Sequence, residues 1–210
     1  MPGRASLTFL YTNIGRGHPF YLDGVRDALN RSGRAGLVCR QHDVFELSRN
    51  LPQMAWKASR WLYRHGSSGG PVGKFYSTIR SGADYNRAGL PLHILGRSLR
   101  SNPLLDQGSL IVAHPILVAI FRNRKNLFYQ HGEVITPPEA VVQGAQHIFV
   151  PTEEAAAPFL KSEYSEEQVT ITGFCVEPAL VAQAADAFNA RCRRFSVGER
   201  LTGAYFSSGA

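Results

Sequence analysis

The chain has 210 residues, 44% of them apolar, with no internal repeat and no low-complexity tract, which suits one well-buried domain or one domain with an appendage. No apolar run reaches the ~18 residues that a membrane-spanning helix needs. Lys and Arg total 23 against 16 Asp and Glu, a net charge of +7, and such a surface attracts phosphates, nucleic acids or anionic lipid head groups. The positive charges are mostly Arg, scattered between residues 16 and 125. They form no compact basic run, and no zinc finger, basic zipper or RNP-type aromatic motif accompanies them, so an anionic membrane surface is favoured and nucleic acid is not expected as a partner. Cys39, Cys175 and Cys192 are far apart and form no Cys-x-x-Cys pair. They suggest neither a zinc site nor a disulfide framework, and Cys39 reads as a small core residue. Residues Met1 to Ala5 run straight into a strand without a signal-peptide apolar segment, which makes a cytoplasmic location the default.

In chain order, residues 6–13 predict a short buried strand, and 18–31 a helix that stops at Ser32-Gly33. A second strand opens at Leu37-Val38-Cys39 and ends near Asp43. A long helical tract covers about 46–101, broken at Gly66-Ser67-Ser68-Gly69-Gly70-Pro71 and again around Gly89-Leu90-Pro91. Leu110 to Ala113 and Leu127 to Tyr129 are the third and fourth strands, and 137–142 suits a short helix starting on proline. His147 to Val150 is a fifth strand, followed by a helix capped by Thr152 and running to about Lys161. Val169 to Thr172 is a sixth strand, and 178–194 an Ala-rich helix. Short apolar strands alternating with helices imply a parallel sheet covered on both faces, hence an α/β, Rossmann-like doubly wound fold with residues 6–13 central.

The chemistry is expected where the first strand ends. Asn13-Ile14-Gly15-Arg16-Gly17-His18 joins an apolar run to a helix through two glycines, which lets backbone approach a ligand closely. His18 then stands at the carboxyl edge of the sheet, where open α/β folds bind ligands. The helix dipole disfavours an imidazolium there, so the neutral ring is available to take a proton from a hydroxyl. Gly15 and Gly17 begin a dinucleotide fingerprint, with Asp43 placed for a ribose, but Phe20 stands where the third glycine belongs. No Gly-Lys-Ser/Thr follows, which excludes a P-loop. His114 also ends a strand and is expected to line the same cleft, although a capped core histidine is at least an equal reading. Residues 54–64 mix aromatics and bases at helical spacing. One reading buries them. The other places Trp56 and Trp61 at the head-group level of a membrane with Lys57, Arg60 and Arg64 on anionic lipid, a pattern extended by Lys74, Phe75, Tyr76 and Arg80.

The strand, Gly-x-Gly-His and helix arrangement resembles the amino-terminal half of GT-B glycosyltransferases, in particular the monogalactosyldiacylglycerol synthase and processive diacylglycerol glucosyltransferase group and the muramoyl-pentapeptide N-acetylglucosaminyltransferase. Tyr129-Gln130-His131-Gly132-Glu133, with Pro137 and Pro138, looks like the acceptor loop of the last. Ile148 to Glu154 is similar to a Val-Pro-Thr/Ser-Glu passage, and Val169 to Val176 to the approach to an interdomain linker. The chain departs from the pattern at Ile14, Arg16 and Cys175.

The resemblance spans most of residues 6–178. It implies transfer of a hexosyl or N-acetylhexosaminyl unit from a nucleotide sugar to a hydroxyl acceptor, expected to be lipid-linked. It also implies no cofactor and no required metal, in keeping with the lack of an Asp-x-Asp motif. His18 would be the catalytic base, and Gly15, Gly17, His114, His131 and Glu133 would bind acceptor. Residues 1–178 would form the acceptor domain, 179–199 a linker helix, and 200–210 the first strand of a donor-binding domain supplied elsewhere. The rival readings are a non-catalytic acceptor- or membrane-binding subunit of a two-chain transferase, and a nucleotide-sugar epimerase-like protein.

Overall fold

The computed structural model describes residues 6–14, 17–34, 36–66, 69–87 and 89–198, with backbone alone for residues 6, 17–20, 38 and 39. Six strands, β1 (Ser6–Tyr11), β2 (Val38–Asp43), β3 (Ser109–Val112), β4 (Leu127–Gln130), β5 (His147–Val150) and β6 (Val169–Ile171), form one sheet. Its order is β2-β1-β3-β4-β5-β6, and every neighbouring pair is parallel. The expected doubly wound α/β fold is therefore present. Strands β1, β3, β4 and β5 were legible because the interior of a parallel sheet is buried on both faces and reads as apolar runs; the edge strand β2, with Arg40, Gln41 and His42, does not follow that pattern. Phe9, Leu10, Leu110, Val112, Leu127, Ile148 and Val150 are all fully enclosed.

Strand β1 is interior, flanked by β2 and β3, but it sits one place from the sheet edge rather than at the centre. From β1 the chain moves outward through α1 (Gly17–Arg31) to β2, then returns across β1 to reach β3. The winding direction thus reverses between β1 and β3, and an open sheet has its ligand crevice at that reversal, outside the carboxyl ends of the strands.

The return path is the long helical tract. It divides into α2 (Val44–Leu47), α3 (Asn50–Gly66), α4 (Gly70–Ser81) and α5 (Leu90–Arg100), with breaks where the glycines and prolines stand. Asp43 starts α2 by accepting the Phe45 amide proton on Oδ1 at 3.1 Å. It is thereby committed as a buried cap, not as a ribose ligand. Helix α3 packs on α4 and α5, and α5 on α6 (Pro115–Phe121). The α5–α6 crossing is close: a Cβ on Gly96 would lie 2.8 Å from the Ile120 side chain. Five of the seven residues of α6 are buried, whereas α4 buries none.

After β4 a single 3-10 turn (Pro138–Ala140) stands where the proline-led helix was expected. Thr152 caps α7 (Glu153–Leu160) through the Ala155 amide at 3.2 Å, as read from the sequence. Helix α8 (Pro178–Ser196) packs against α1 and buries none of its own residues. The segment expected to open a further domain, 200–210, lies outside the described residues.

Candidate functional site

Two cavities lie at the two ends of the sheet. The larger, about 1040 Å³, opens at the carboxyl ends of β1, β3 and β4, where the winding reverses. Asn13 and Ile14 border it from β1, Ala113 and His114 from β3, and His131, Gly132 and Glu133 from β4. Tyr63 of α3 and Tyr76, Ile79 and Arg80 of α4 cover it. The smaller, about 490 Å³, lies at the amino ends of β4, β5 and β6 and is lined by polar groups including Arg124, Gln143, Gln146 and Tyr164.

His131 is 3% exposed, and both its ring nitrogens are engaged. Thr136 Oγ1 donates its one proton to the Ala155 carbonyl at 2.8 Å. It therefore accepts from His131 Nε2 at 2.9 Å, and the ring proton sits on Nε2. Nδ1 is left as the acceptor for the Tyr129 hydroxyl at 3.1 Å. Burial, and secondarily the charges of Glu133 and Tyr164, hold the Tyr129 phenol well above its ordinary range, so it keeps the proton it donates. These bonds link Tyr129, His131, Thr136 and the Ala155 carbonyl in one chain. His131 borders the cleft, and through Thr136 it ties the loop after β4 to α7.

His114 is half-buried at the N-cap of α6, where Nδ1 accepts the Ile116 amide proton at 3.2 Å. The ring as a whole borders the cleft. Glu133 stands at the cleft mouth, and partial desolvation raises its carboxyl above the usual range, with Arg80 opposing and Glu139 adding to the shift. Gly132 is required by its neighbour: a Cβ there would lie 2.3 Å from the ring of Tyr21. Tyr21, on the first helix, is raised by burial and by Glu133.

The sequence reading did not place the covering helix or most of the aromatic lining. Five tyrosines, Tyr21, Tyr63, Tyr76, Tyr85 and Tyr129, border the cleft. Tyr63 and Tyr76 meet edge to face with centroids 6.1 Å apart. Arg80 crosses from α4 to the 3-10 turn, where its Nε donates to Glu139 at 2.6 Å. Tyr76 and Arg80, expected to extend a membrane-facing pattern, point into the cleft instead. Their spacing of four residues puts them on one side of α4 and was the available signal.

His18 falls in the first turn of α1, described by its backbone alone; Gly17 begins that helix, and Gly15 lies outside the described residues. The expected membrane stripe divides. Trp56 is fully buried, and its Nε1 donates to the Leu95 carbonyl at 3.2 Å, so it belongs to the core and touches no membrane. Arg60 is half-buried with its guanidinium 4.2 Å from the Phe45 ring centroid. Trp61 is 55% exposed and stacks on His65, with exposed Met54, Lys57 and Arg64 on the same helix. Phe75 of α4 is 60% exposed.

Among the described residues no group of His, Cys, Asp and Glu is placed to hold a metal ion, and no helix is long and apolar enough to cross a membrane. The chain matches no family model, no curated protein and no solved structure.

Proposed function

We propose that this chain is the acceptor-binding half of a glycosyltransferase of the GT-B kind. It would move a hexosyl or N-acetylhexosaminyl unit from a nucleotide sugar to a hydroxyl of a lipid-linked acceptor. The supporting observation is a convergence. The Asn13–Ile14 segment and the His131–Glu133 segment, far apart in sequence, border one cleft at the winding reversal of the sheet. Those are the two loops that carry the resemblance.

The acceptor would lie in this cleft with its hydroxyl toward the start of α1. There His18 would remove the proton as the hydroxyl oxygen attacks the anomeric carbon, and the nucleoside diphosphate would leave with the bonding pair. Tyrosine rings would pack on the acceptor, and Glu133 would accept one of its hydroxyl protons. The exposed Trp61, Met54 and Phe75, with Lys57, would rest on an anionic membrane surface and bring the cleft, which Arg64 borders, to its lipid.

The test is sugar transfer to lipid vesicles by the protein joined to its donor-binding half. His18→Ala should lower kcat by about 10²–10⁴-fold with donor binding unchanged, as removal of a general base does. Turnover should rise with anionic lipid and fall with salt, because charge attraction is screened within ~8–10 Å at physiological ionic strength. Unchanged turnover in His18→Ala would make the loop structural, and turnover blind to both lipid charge and salt would remove the membrane surface.

A further inference from the structure

The chain carries a net charge of +7, yet its described cleft does not share that excess. The charged residues bordering it are Arg64, Arg80, Glu133 and Glu139, two of each sign. Arg80 and Glu139 are joined at 2.6 Å across the cleft, from α4 to the 3-10 turn after β4. The Glu139 side chain is 18% exposed, and the Arg80 guanidinium is held more firmly protonated chiefly by that hydrogen bond. An incoming phosphate or carboxylate would have to displace a carboxylate that already occupies the Arg80 fork, and would then face Glu133 as well. A neutral polyol meets no such cost. Its ring C–H faces pack on tyrosine rings, and its hydroxyls both donate to carboxylates and accept from phenols. Tyr21 and Tyr76 offer such rings on opposite elements of the cleft.

From this we infer that the Arg80–Glu139 pair is a specificity determinant, which makes the cleft select an uncharged, polyhydroxylated head group and reject a phosphorylated one. The inference rests on the cleft being the acceptor site, and it names the acceptor's chemical class as a neutral glycosyl ring. Glu139 does the selecting by neutralising Arg80, so removing its charge converts the cleft into an anion site.

The experiment is calorimetric titration of the 210-residue chain with two probes of equal tail length, octyl glucoside and octyl phosphate, both below their micelle concentrations. The wild type should bind octyl glucoside about tenfold or more tightly than octyl phosphate. Glu139→Gln keeps the shape and the hydrogen bond but leaves Arg80 charged; it should gain octyl phosphate by about tenfold, the worth of one charge-assisted hydrogen bond. Arg80→Gln discharges the pair from the other side and should weaken octyl phosphate further, with octyl glucoside changed less than about threefold. Equal or tighter wild-type binding of the phosphate, no gain in Glu139→Gln, a gain in Arg80→Gln, or no binding of either probe would each overturn the inference. The sugar-transfer assay fails separately: selective glucoside binding without transfer contradicts the enzymatic reading and leaves the specificity assignment standing.

Discussion

The two ends of the sheet are built from the same kind of material and used differently. At the amino ends of β4, β5 and β6 several polar side chains serve the fold, although the buried Arg124 Nε has no hydrogen-bond partner among the described residues. The Tyr164 hydroxyl donates to the Val142 carbonyl at 2.7 Å and accepts from the Ala145 amide at 3.2 Å. Gln168 closes a capping box with Ser165, and Arg124 donates to the Gly108 carbonyl at 3.1 Å. At the carboxyl ends one layer serves the fold in the same way, through His131 and the Asp43 cap. Above that layer a second one remains, formed by Tyr21, Tyr76, Glu133 and the Arg80–Glu139 bridge, and it faces open volume. Pocket size alone would rank both ends as sites. The difference lies in what the polar groups serve: at the amino end Tyr164 bonds the backbone of the fold, and at the carboxyl end the Arg80–Glu139 bridge and Glu133 line the larger open volume.

The largest effect that would sharpen this contrast is at the amino end. Tyr164→Phe removes one hydroxyl that serves two backbone groups and leaves both buried and unpaired. Denaturant unfolding should show a loss of about 1–3 kcal/mol, with octyl glucoside binding unchanged. A stable variant with impaired binding would reverse the assignment of the two ends.

A smaller effect tests the structural layer at the carboxyl end. Asp43 is 7% exposed, and burial raises its carboxyl above the usual range, against the lowering influence of the Phe45 and Asn13 amides. The folded state then holds the proton more tightly than the unfolded chain. The stabilising contribution of Asp43 is full below the unfolded pKa and declines as pH rises through the folded one. Asp43→Asn keeps the cap without the charge, so its stability relative to wild type should improve from acid toward neutral pH. Asp43→Ala loses the cap and should cost about 1 kcal/mol. A relative stability of Asp43→Asn that falls as pH rises would contradict the desolvated-carboxyl account.

The sheet and its helices were legible because both follow from periodicity. Five of the six strands fall on mainly apolar runs, whereas β2 carries Arg40, Gln41, His42 and Asp43 after Val38 and Cys39, and the helical tract breaks where its glycines and prolines stand. Helical periodicity also separates Trp56 from Trp61. Five residues apart on one helix, they point about 140° apart, so one stripe could not hold both. The structure sends Trp56 inward and leaves Trp61 outside. The histidine loop after β4 was legible as a position at the strand edge, but not as a closed network. Thr136, which donates to the Ala155 carbonyl of α7, is held against His131 by the packing of α7 on β5 and β6. Likewise, nothing local in Gly132 announces the ring of Tyr21 lying against it.

The most direct test of the central claim is a solution map of where a ligand lands. Ring-labelled tyrosine spectra of the chain would be followed while octyl glucoside is added below its micelle concentration. The account predicts saturable shifts at Tyr21, Tyr63 and Tyr76, around the carboxyl-end cleft, with Tyr164 at the opposite end of the sheet unmoved. Shifts that centre on Tyr164, or that spread evenly over all the tyrosines, would contradict it.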